Sequence, residues 1–189
     1  EALIEEMKTR IKKDDSSVPT ADGDWAYYRR FIATKQYPIF CRRPSSDTDE
    51  MREQILLDGN AEAEGQKFFA VGGAVHSPDH RFFAVALDYN GSEYCTIVIR
   101  DLDTGDMLEE KIINAQGEMA WSADSTTLFY TRLDDQHRPC KVMRHMVGST
   151  SAADVLIYEE KDPGFFLRVG KTESGRFIVI SAHDHADTS

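Results

Sequence analysis

Residues 118–132, EMAWSADSTTLFYTR, have the pattern of two β-strands joined by a tight turn. An apolar run ends at Trp121, a Ser-Ala-Asp turn follows, and a second apolar run begins at Leu128. Related segments lie upstream at residues 74–88, AVHSPDHRFFAVALD, and downstream at residues 168–182, RVGKTESGRFIVISA. Three copies of one strand–turn–strand unit, about 45 to 50 residues apart, predict a β-propeller.

Further strand patterns complete each repeat. The predicted strands are residues 25–31, 37–43, 54–57, 70–76, 82–88, 94–101, 107–113, 117–121, 128–133, 139–146, 155–158, 165–171 and 177–182. Asn90-Gly91 and Thr104-Gly105 supply the positive φ angles that tight hairpins require. The sequence predicts an all-β fold, a partial β-propeller of about three and a half four-stranded antiparallel blades.

The predicted domain boundaries follow from these strands. Residues 1–17 form an N-terminal helix and linker, with Ile4, Met7 and Ile11 on one apolar stripe of a helix over residues 2–13. Residues 18–189 form the partial propeller. Its predicted blades are residues 18–60, 66–114, 115–160 and, incomplete, 164–189.

A β-sandwich is the alternative all-β fold. It accounts for the number of strands, but not for a Ser/Thr-x-x-x turn that recurs at nearly constant spacing. A propeller cut within its last blade has an open sheet edge, because the next strand is missing. We therefore expect isolated chains to associate with one another.

Composition excludes several classes of protein. The 189 residues contain 22 Lys and Arg against 33 Asp and Glu, a net charge of −11, so nucleic acid is not an expected partner. The sequence contains no run of 18 apolar residues, so it predicts no membrane-spanning helix. Three cysteines, Cys41, Cys95 and Cys140, are too few for a disulfide framework or a zinc site, and each falls in a predicted strand. Free thiols of this kind predict a cytoplasmic location.

No catalytic constellation is evident in the residues. Gly-x-Ser-x-Gly, His-Glu-x-x-His, Walker and Gly-x-Gly-x-x-Gly patterns are all absent. His183-Asp184-His185 could offer two metal ligands on one strand face, but a polar strand end explains it better. The remaining histidines, the acidic pairs and several arginines are predicted to be solvated or on blade surfaces. They are His76, His80, His137 and His145; Asp14-Asp15, Glu109-Glu110, Asp134-Asp135 and Glu159-Glu160; Arg29, Arg30, Arg42, Arg43, Arg100 and Arg144.

Two further groups of residues are predicted to be structural. Gly72-Gly73, inside a strand, predicts a β-bulge or a close contact between blades. Trp121 is predicted to pack in the core between blades, and Ser122 and Asp124 to shape the turn that follows it.

The ordered set of segments resembles a known family. RIKKDDSSVPTADGDWAYYRRF, QYPIFCRR, ILLDGNAEAEG, AVHSPDHRFFAVALDYNGSEYCTIVIRDLDTG, EMAWSADSTTLFYTRLDDQHRPCKVMRH and FFLRVGKTESGRFIVISAHDHADTS are similar to the first half of the propeller in the oligopeptidase B group of the prolyl oligopeptidase family of serine peptidases. The resemblance covers nearly the whole chain.

The resemblance implies a seven-bladed propeller that restricts a Ser-Asp-His peptidase domain of α/β-hydrolase fold to short peptides, cleaved after Lys or Arg. Nucleophile, base, acid and oxyanion hole would all belong to that C-terminal domain. The expected partners are therefore this hydrolase domain and short basic peptides. No catalytic residue, cofactor-binding residue, metal ligand or cofactor is expected in this chain, which should be inactive alone. The alternative is a freestanding propeller-like module that binds proteins or peptides without catalysis.

Overall fold

The structure, a computed structural model, describes residues 2–9, 15–46 and 52–184. Its helices and strands, in chain order, are α1 (Ala2–Thr9), β1 (Thr20–Asp22), β2 (Trp25–Arg30), β3 (Ile39–Pro44), β4 (Gln54–Asp58), α2 (Gly59–Glu62), β5 (Ala70–His76), β6 (Phe82–Asp88), β7 (Cys95–Asp101), β8 (Met107–Trp121), β9 (Thr127–Leu133), β10 (Pro139–Met146), β11 (Val155–Glu159), β12 (Phe166–Lys171) and β13 (Ile178–His183). A short 3-10 helix, Ser151–Ala153, precedes β11. No helix among the described residues has the length and hydropathy that a membrane span requires.

The chain divides into two compact units, residues 1–66 and residues 67–189. In the first unit, β1 to β4 form an antiparallel sheet in sequential order. In helix α1, the side chains of Ile4 and Met7 are exposed, so the predicted apolar stripe is not buried. Ile11, the third member of that stripe, lies outside the described residues.

Two elements of the first unit were not predicted. Strand β1 is only three residues long and has no apolar alternation, so its sequence resembles a loop. Helix α2 follows β4 directly, and the Asp58 carboxylate caps it by accepting the N–H groups of Asn60 and Ala61 at 2.9 and 3.4 Å. The Asp58-Gly59-Asn60 sequence therefore ends the strand as predicted, but it also begins a helical turn.

The second unit contains a seven-stranded antiparallel sheet and a separate hairpin. The sheet order is β11-β10-β9-β8-β7-β6-β5, and β12 pairs with β13. Residues Gly91 and Gly105 have φ angles of +71° and +83°, which confirms the predicted hairpin positions. Each strand boundary in this unit lies within a residue or two of its predicted position, with one exception.

The exception is β8. Two strands were predicted, residues 107–113 and 117–121, but the chain forms one strand of fifteen residues. Its first half pairs with β7 as far as Ala115, and its second half pairs with β9 from Ala115 onward. The predicted break was wrong because the Asn114-Ala-Gln-Gly117 sequence resembles a turn, whereas here it is absorbed by a β-bulge.

Two apolar cores lie on opposite sides of the sheet formed by β8, β9 and β10. On one side Trp121, Leu128, Tyr130 and Met143 pack with residues of β6 and β7. On the other side Ala120 and Val142 pack with three residues of the hairpin, namely Leu167, Val169 and Ala182. Adjacent residues of one strand thus serve two cores, as alternation in a strand requires.

Strand β11 forms an edge of the seven-stranded sheet, and it remains exposed. Val155, Leu156, Ile157 and Tyr158 each have 43 to 46% of their surface accessible. An exposed apolar edge strand is a template for pairing with another chain. This edge supports the predicted self-association, which stays a prediction.

Candidate functional site

The opening segment forms the turn between β8 and β9 through a fixed set of hydrogen bonds. Ser122 Oγ donates to Asp124 Oδ1 at 2.6 Å and accepts the Thr127 N–H at 3.0 Å. The upstream copy repeats both bonds, with Ser77 Oγ donating to Asp79 Oδ1 at 2.5 Å. Ser122 and Asp124 thus satisfy backbone N–H groups of the turn, which confirms their predicted role as turn residues.

The third copy of the turn keeps the geometry with different side chains. Thr172 replaces the serine, and its Oγ1 accepts the Phe177 N–H at 3.3 Å. The fourth residue of the turn has a positive φ angle in all three copies, 62° at His80, 61° at Ser125 and 68° at Gly175. The residue type at that position differs between copies, so the repeat is visible in the sequence through the Ser or Thr whose hydroxyl accepts an N–H group at or beside the start of the next strand.

Trp121, which precedes the second copy, is 1% exposed and confirms the predicted core position. Its ring stacks on Phe82 with 5.9 Å between centroids, and its Nε1 donates to the Val75 carbonyl at 3.2 Å. The neighbouring turns are also joined, because the Asp79 N–H donates to Ser125 Oγ at 3.0 Å. Successive repeats are therefore fixed to each other by both packing and hydrogen bonds.

Two β-bulges face each other where β5 meets β8. Gly72 is the extra residue of β5, since Val71 and Gly73 pair with the adjacent residues Leu87 and Ala86 of β6. A Cβ at Gly73 would fall on the carbonyl oxygen of Gly117, and a Cβ at Gly117 on that of Gly72. This contact, named here the glycine junction, confirms the predicted bulge and close contact of Gly72-Gly73.

The bulge in β8 spans residues 116–118. Between the pairs Ala115–Arg132 and Met119–Tyr130, β8 has three intervening residues and β9 has one. Extra residues in a bulge turn their side chains away from the regular alternation. The bulge thereby places Gln116 and Glu118 at the cavities that adjoin β12.

A cavity of about 640 Å³ lies along the first strands of the three repeats. Residues of β5, β8 and β12 line it, together with Val179 and Ser181 of β13. Across this cavity Arg168 Nε approaches Glu118 Oε1 at 3.5 Å. We name this contact between β8 and β12 the open junction, because a cavity lies beside it, whereas at the glycine junction the backbones of β5 and β8 touch.

The negative charge of the Glu118 carboxylate has few stabilising contacts at the open junction. Burial raises the pKa of its carboxyl, against the opposing effects of the Arg168 charge and a hydrogen bond from the Val169 N–H. Its Oε2 atom is buried and has no hydrogen-bond partner in the described part of the chain. Arg168 offers only a long contact from an exposed side chain, which is a weak ion pair.

A buried polar network, which the sequence did not reveal, links side chains of β8, β9 and β10 to Asp154. His145 Nδ1 lies 2.7 Å from Asp154 Oδ1, and Tyr130 Oη donates to the other carboxylate oxygen at 2.8 Å. Glu110 accepts the Gly148 N–H at 2.8 Å and lies 3.8 Å from His145 Nε2. Its members come from distant parts of the sequence, so no local pattern could indicate it.

This network corrects two predictions. His145 was expected to be solvated, but its side chain is fully buried. Glu110 was expected in a turn or at a strand end, but it lies inside β8 and is 9% exposed. Burial, followed by the bond to Asp154, raises the pKa of Tyr130. These contacts join β8, β9 and β10 to Asp154, which follows the 3-10 helix.

Other predicted polar residues have the expected surroundings. Asp134 lies in the turn after β9 and accepts the N–H groups of Gln136 and Arg138 at 2.9 and 3.0 Å. Glu160 accepts the Asp162 N–H at 2.9 Å in the link after β11. His183 ends β13 and is half-buried. Two predicted residues, Asp14 and His185, lie outside the described residues.

One arginine of the first unit departs from its predicted surface position. Arg42 is 4% exposed, its guanidinium carbon lies 3.9 Å from the Trp25 ring centroid, and its Nε donates to Gln54 Oε1 at 2.7 Å. Arg30 donates from Nε and Nη2 to the Glu53 carboxylate. The hydrogen bonds from Arg30, more than any other contact, lower the pKa of Glu53 to about 2.

Comparisons with known proteins identify the repeat architecture. The profile of the family described as "Prolyl oligopeptidase, N-terminal beta-propeller domain" matches residues 1–189. This chain belongs to that family. The fold is thus a partial all-β propeller, and the strand–turn–strand units of β5 to β13 are parts of its blades.

Oligopeptidase B from Leishmania major is 31% identical to this chain, with a TM-score of 0.90 over 96% of this chain and 26% of that one. Oligopeptidase B from Trypanosoma brucei, in a closed form with covalently bound antipain, is 30% identical with a TM-score of 0.88 over the same shares. A relative named dipeptidyl aminopeptidase BI, from Pseudoxanthomonas mexicana, is 38% identical over 95% of this chain and 27% of its own length. The chain therefore spans about a quarter of the length of its relatives.

Proposed function

We propose that this chain is the substrate-gating part of a serine oligopeptidase that hydrolyses short peptides after Lys or Arg. One observation carries the proposal: all 189 residues match the N-terminal propeller domain of a peptidase family, yet they cover only about a quarter of the related peptidases. The nucleophile, base and oxyanion donors would be supplied by a C-terminal α/β-hydrolase domain. The chain alone would then be inactive.

The gate that we propose is a filter of substrate size. Propeller blades that are fixed to each other, as at the glycine junction, form a rigid wall that a folded protein cannot pass. A short peptide can pass an opening that a folded chain cannot, so hydrolysis would be limited to oligopeptides. Opening and closing of the propeller against its hydrolase domain would control access.

The negative charge supports a preference for cationic peptides. A net charge of −11 attracts positively charged ligands over a distance set by the ionic strength. We also propose a cytoplasmic location, supported by three cysteines that are all buried and free.

The proposal is tested by peptide hydrolysis with the intact protein that contains this chain. Fluorogenic peptides with Arg, Lys or Ala before the scissile bond should be cleaved only after Arg and Lys. Cleavage should fall steeply as an Arg-containing substrate is lengthened into a folded protein. Residues 1–189 alone should give no turnover.

Each of these measurements tests a different part of the proposal. Absence of hydrolysis by the intact protein would contradict the peptidase function and favour the freestanding binding module. Equal cleavage after Ala would contradict the proposed specificity, and unrestricted cleavage of folded proteins would contradict the size filter. For charge steering, peptides flanked by Lys should lose kcat/KM as salt is added, whereas matched peptides flanked by Glu should not.

A further inference from the structure

A second cavity, of about 420 Å³, lies on the other side of Arg168 from the open junction. Four polar side chains line it, from three different parts of the chain: Gln116, His137, Arg168 and His183. Pro139, Leu167 and Phe166 supply its apolar surface. We name it the donor pocket, because its polar groups present hydrogen-bond donors.

Most hydrogen-bond donors of Arg168 have no partner among the described residues. Only its Nε contacts an acceptor, Glu118, and the side chain is 64% exposed. Its Nη1 and Nη2 atoms have no hydrogen-bond partner within the described ranges. A guanidinium with two free nitrogens is the side chain best suited to bind a carboxylate through two parallel hydrogen bonds.

Gln116 is held so that its amide nitrogen is free to donate. Thr131 Oγ1 donates to Gln116 Oε1 at 3.2 Å, which occupies the acceptor end of the amide. The Nε2 group makes no hydrogen bond to the part of the chain that the structure describes. The bulge of β8 therefore brings a neutral donor to the same cavity as the Arg168 charge.

Two histidines complete the pocket. The His137 ring packs on Tyr94 with centroids 4.4 Å apart, and the His183 ring lies 6.1 Å from that of Phe166. Among the described residues, neither imidazole has a side-chain or backbone hydrogen-bond partner. Each is oriented by an aromatic neighbour while its ring nitrogens stay available.

Within the described residues, the one carboxylate that contacts a polar group of the donor pocket is that of Glu118, 3.5 Å from Arg168 Nε. No Asp or Glu of the described residues lines the pocket, although the chain as a whole has 33 of them. A guanidinium, an amide and two imidazoles without a carboxylate form a set that favours an anion. The apolar surface of Pro139 and Phe166 leaves room for a side chain beside that anion.

We propose that the donor pocket binds the C-terminal carboxylate of a peptide, with Arg168 and Gln116 as the principal donors. This inference rests on the proposed function, which supplies peptides as ligands. A peptide terminus carries its carboxylate next to one side chain, which matches donors beside an apolar surface. The chain would thus recognise the end of a peptide in addition to limiting its size.

The test uses three peptides that share one Arg cleavage site, hydrolysed by the intact protein. The first has a free C-terminal carboxylate, the second a C-terminal amide, and the third an amide together with an internal Glu. The free acid should have a KM lower than that of the amide by on the order of tenfold, with a similar kcat. Thermal denaturation should establish that each of the substituted proteins named below is folded.

Three substitutions locate the effect. Arg168→Gln should remove the difference between acid and amide, and so should Gln116→Glu, which keeps the shape of the side chain but adds a negative charge. Arg176→Gln is the matched control, because Arg176 is exposed in the β12–β13 turn and does not line the pocket. This control should keep the full difference.

The outcomes separate this inference from the proposed function. Hydrolysis with equal KM for acid and amide would overturn the donor pocket and leave the peptidase function intact. A preference that follows the internal Glu would overturn the assignment to the terminus. Without any hydrolysis the peptidase function fails, and fluorescence anisotropy of the labelled acid and amide would then test binding alone, with equal binding overturning the pocket.

Discussion

The glycine junction and the open junction both join the first strand of one repeat to the first strand of the next. At the glycine junction the backbones of Gly72, Gly73 and Gly117 touch, and no side chain fits between them. At the open junction Glu118 and Arg168 meet across a cavity of about 640 Å³. The same repeating unit therefore makes a close backbone contact where glycines meet, and a side-chain contact beside a cavity where Glu118 meets Arg168.

The largest expected effect comes from adding a methyl group at the glycine junction. Gly117→Ala places a Cβ on the Gly72 carbonyl, so one backbone must move, and we expect a loss of more than about 3 kcal/mol of stability. The matched control is Gly170→Ala on β12, where a Cβ meets nothing within 4 Å. Chemical denaturation of both variants measures the difference, and equal midpoints would show that the glycine junction is not rigid.

The second effect concerns the packing next to the glycine junction. Trp121→Phe removes the hydrogen bond to Val75 and part of the ring that stacks on Phe82, and should cost about 2 to 3 kcal/mol. Phe165→Leu, at the partly buried edge of the core under the hairpin, should cost about 1 kcal/mol. If the two variants have the same denaturation midpoint, packing does not distinguish the two junctions.

A third prediction addresses how the hairpin beyond the open junction is held. Arg138 Nη1 donates to the Asp162 carbonyl at 2.7 Å and to the Phe165 carbonyl at 3.1 Å, and Nη2 donates to Glu160 at 3.3 Å. Arg138→Ala should cost about 1 to 2 kcal/mol, because three carbonyls lose a charged donor.

The same variant should expose the link between β11 and β12 to protease. Trypsin cleavage at the exposed Lys161 should become faster in Arg138→Ala, and mass spectrometry identifies the site. Arg144→Ala, at an exposed position of β10, serves as control and should leave the rate unchanged. Unchanged cleavage in Arg138→Ala would show that the link is held by other contacts.

The smallest effect is the pH dependence of the open junction. Burial raises the pKa of Glu118 in the folded chain, so the folded state binds its proton more tightly than the unfolded state does. At acid pH the Glu118 carboxyl is neutral, and the folded chain has its full stability. As the pH rises through the pKa that Glu118 has in the folded chain, the carboxyl ionises and part of that stability is lost. Glu118→Gln should match the wild type near pH 3 and become slightly more stable than it near pH 7. A less stable variant at pH 7 would mean that the Arg168 ion pair outweighs the cost of burial.

The features that were predictable from the sequence are those that depend on neighbouring residues. Gly91 and Gly105 are required by the local backbone, and the turns at Ser77 and Ser122 are formed by hydrogen bonds between residues at most five apart, so both were predictable from the sequence. Gly72-Gly73 indicated a close contact, but Gly117 could not be identified as its partner, because a bulge in another strand brings it there.

The features that escaped prediction depend on distant residues. His145 and Glu110 resemble solvated polar residues locally. Pairing of β8 with β9 and of β9 with β10 brings them close together, and His145 also contacts Asp154. The donor pocket is similar, since Gln116, His137, Arg168 and His183 share no pattern in the sequence. A register shift of two residues in β8 places Gln116 at this pocket.

The continuous strand β8 has a consequence for how the chain unfolds. Repeat proteins usually lose structure one unit at a time from their ends, because each unit contacts only its neighbours. Here one strand is hydrogen-bonded to β7 through its first half and to β9 through its second, so two repeats share a backbone element. They should melt as one cooperative block, with slow amide exchange along β8, while the β12–β13 hairpin exchanges first and independently.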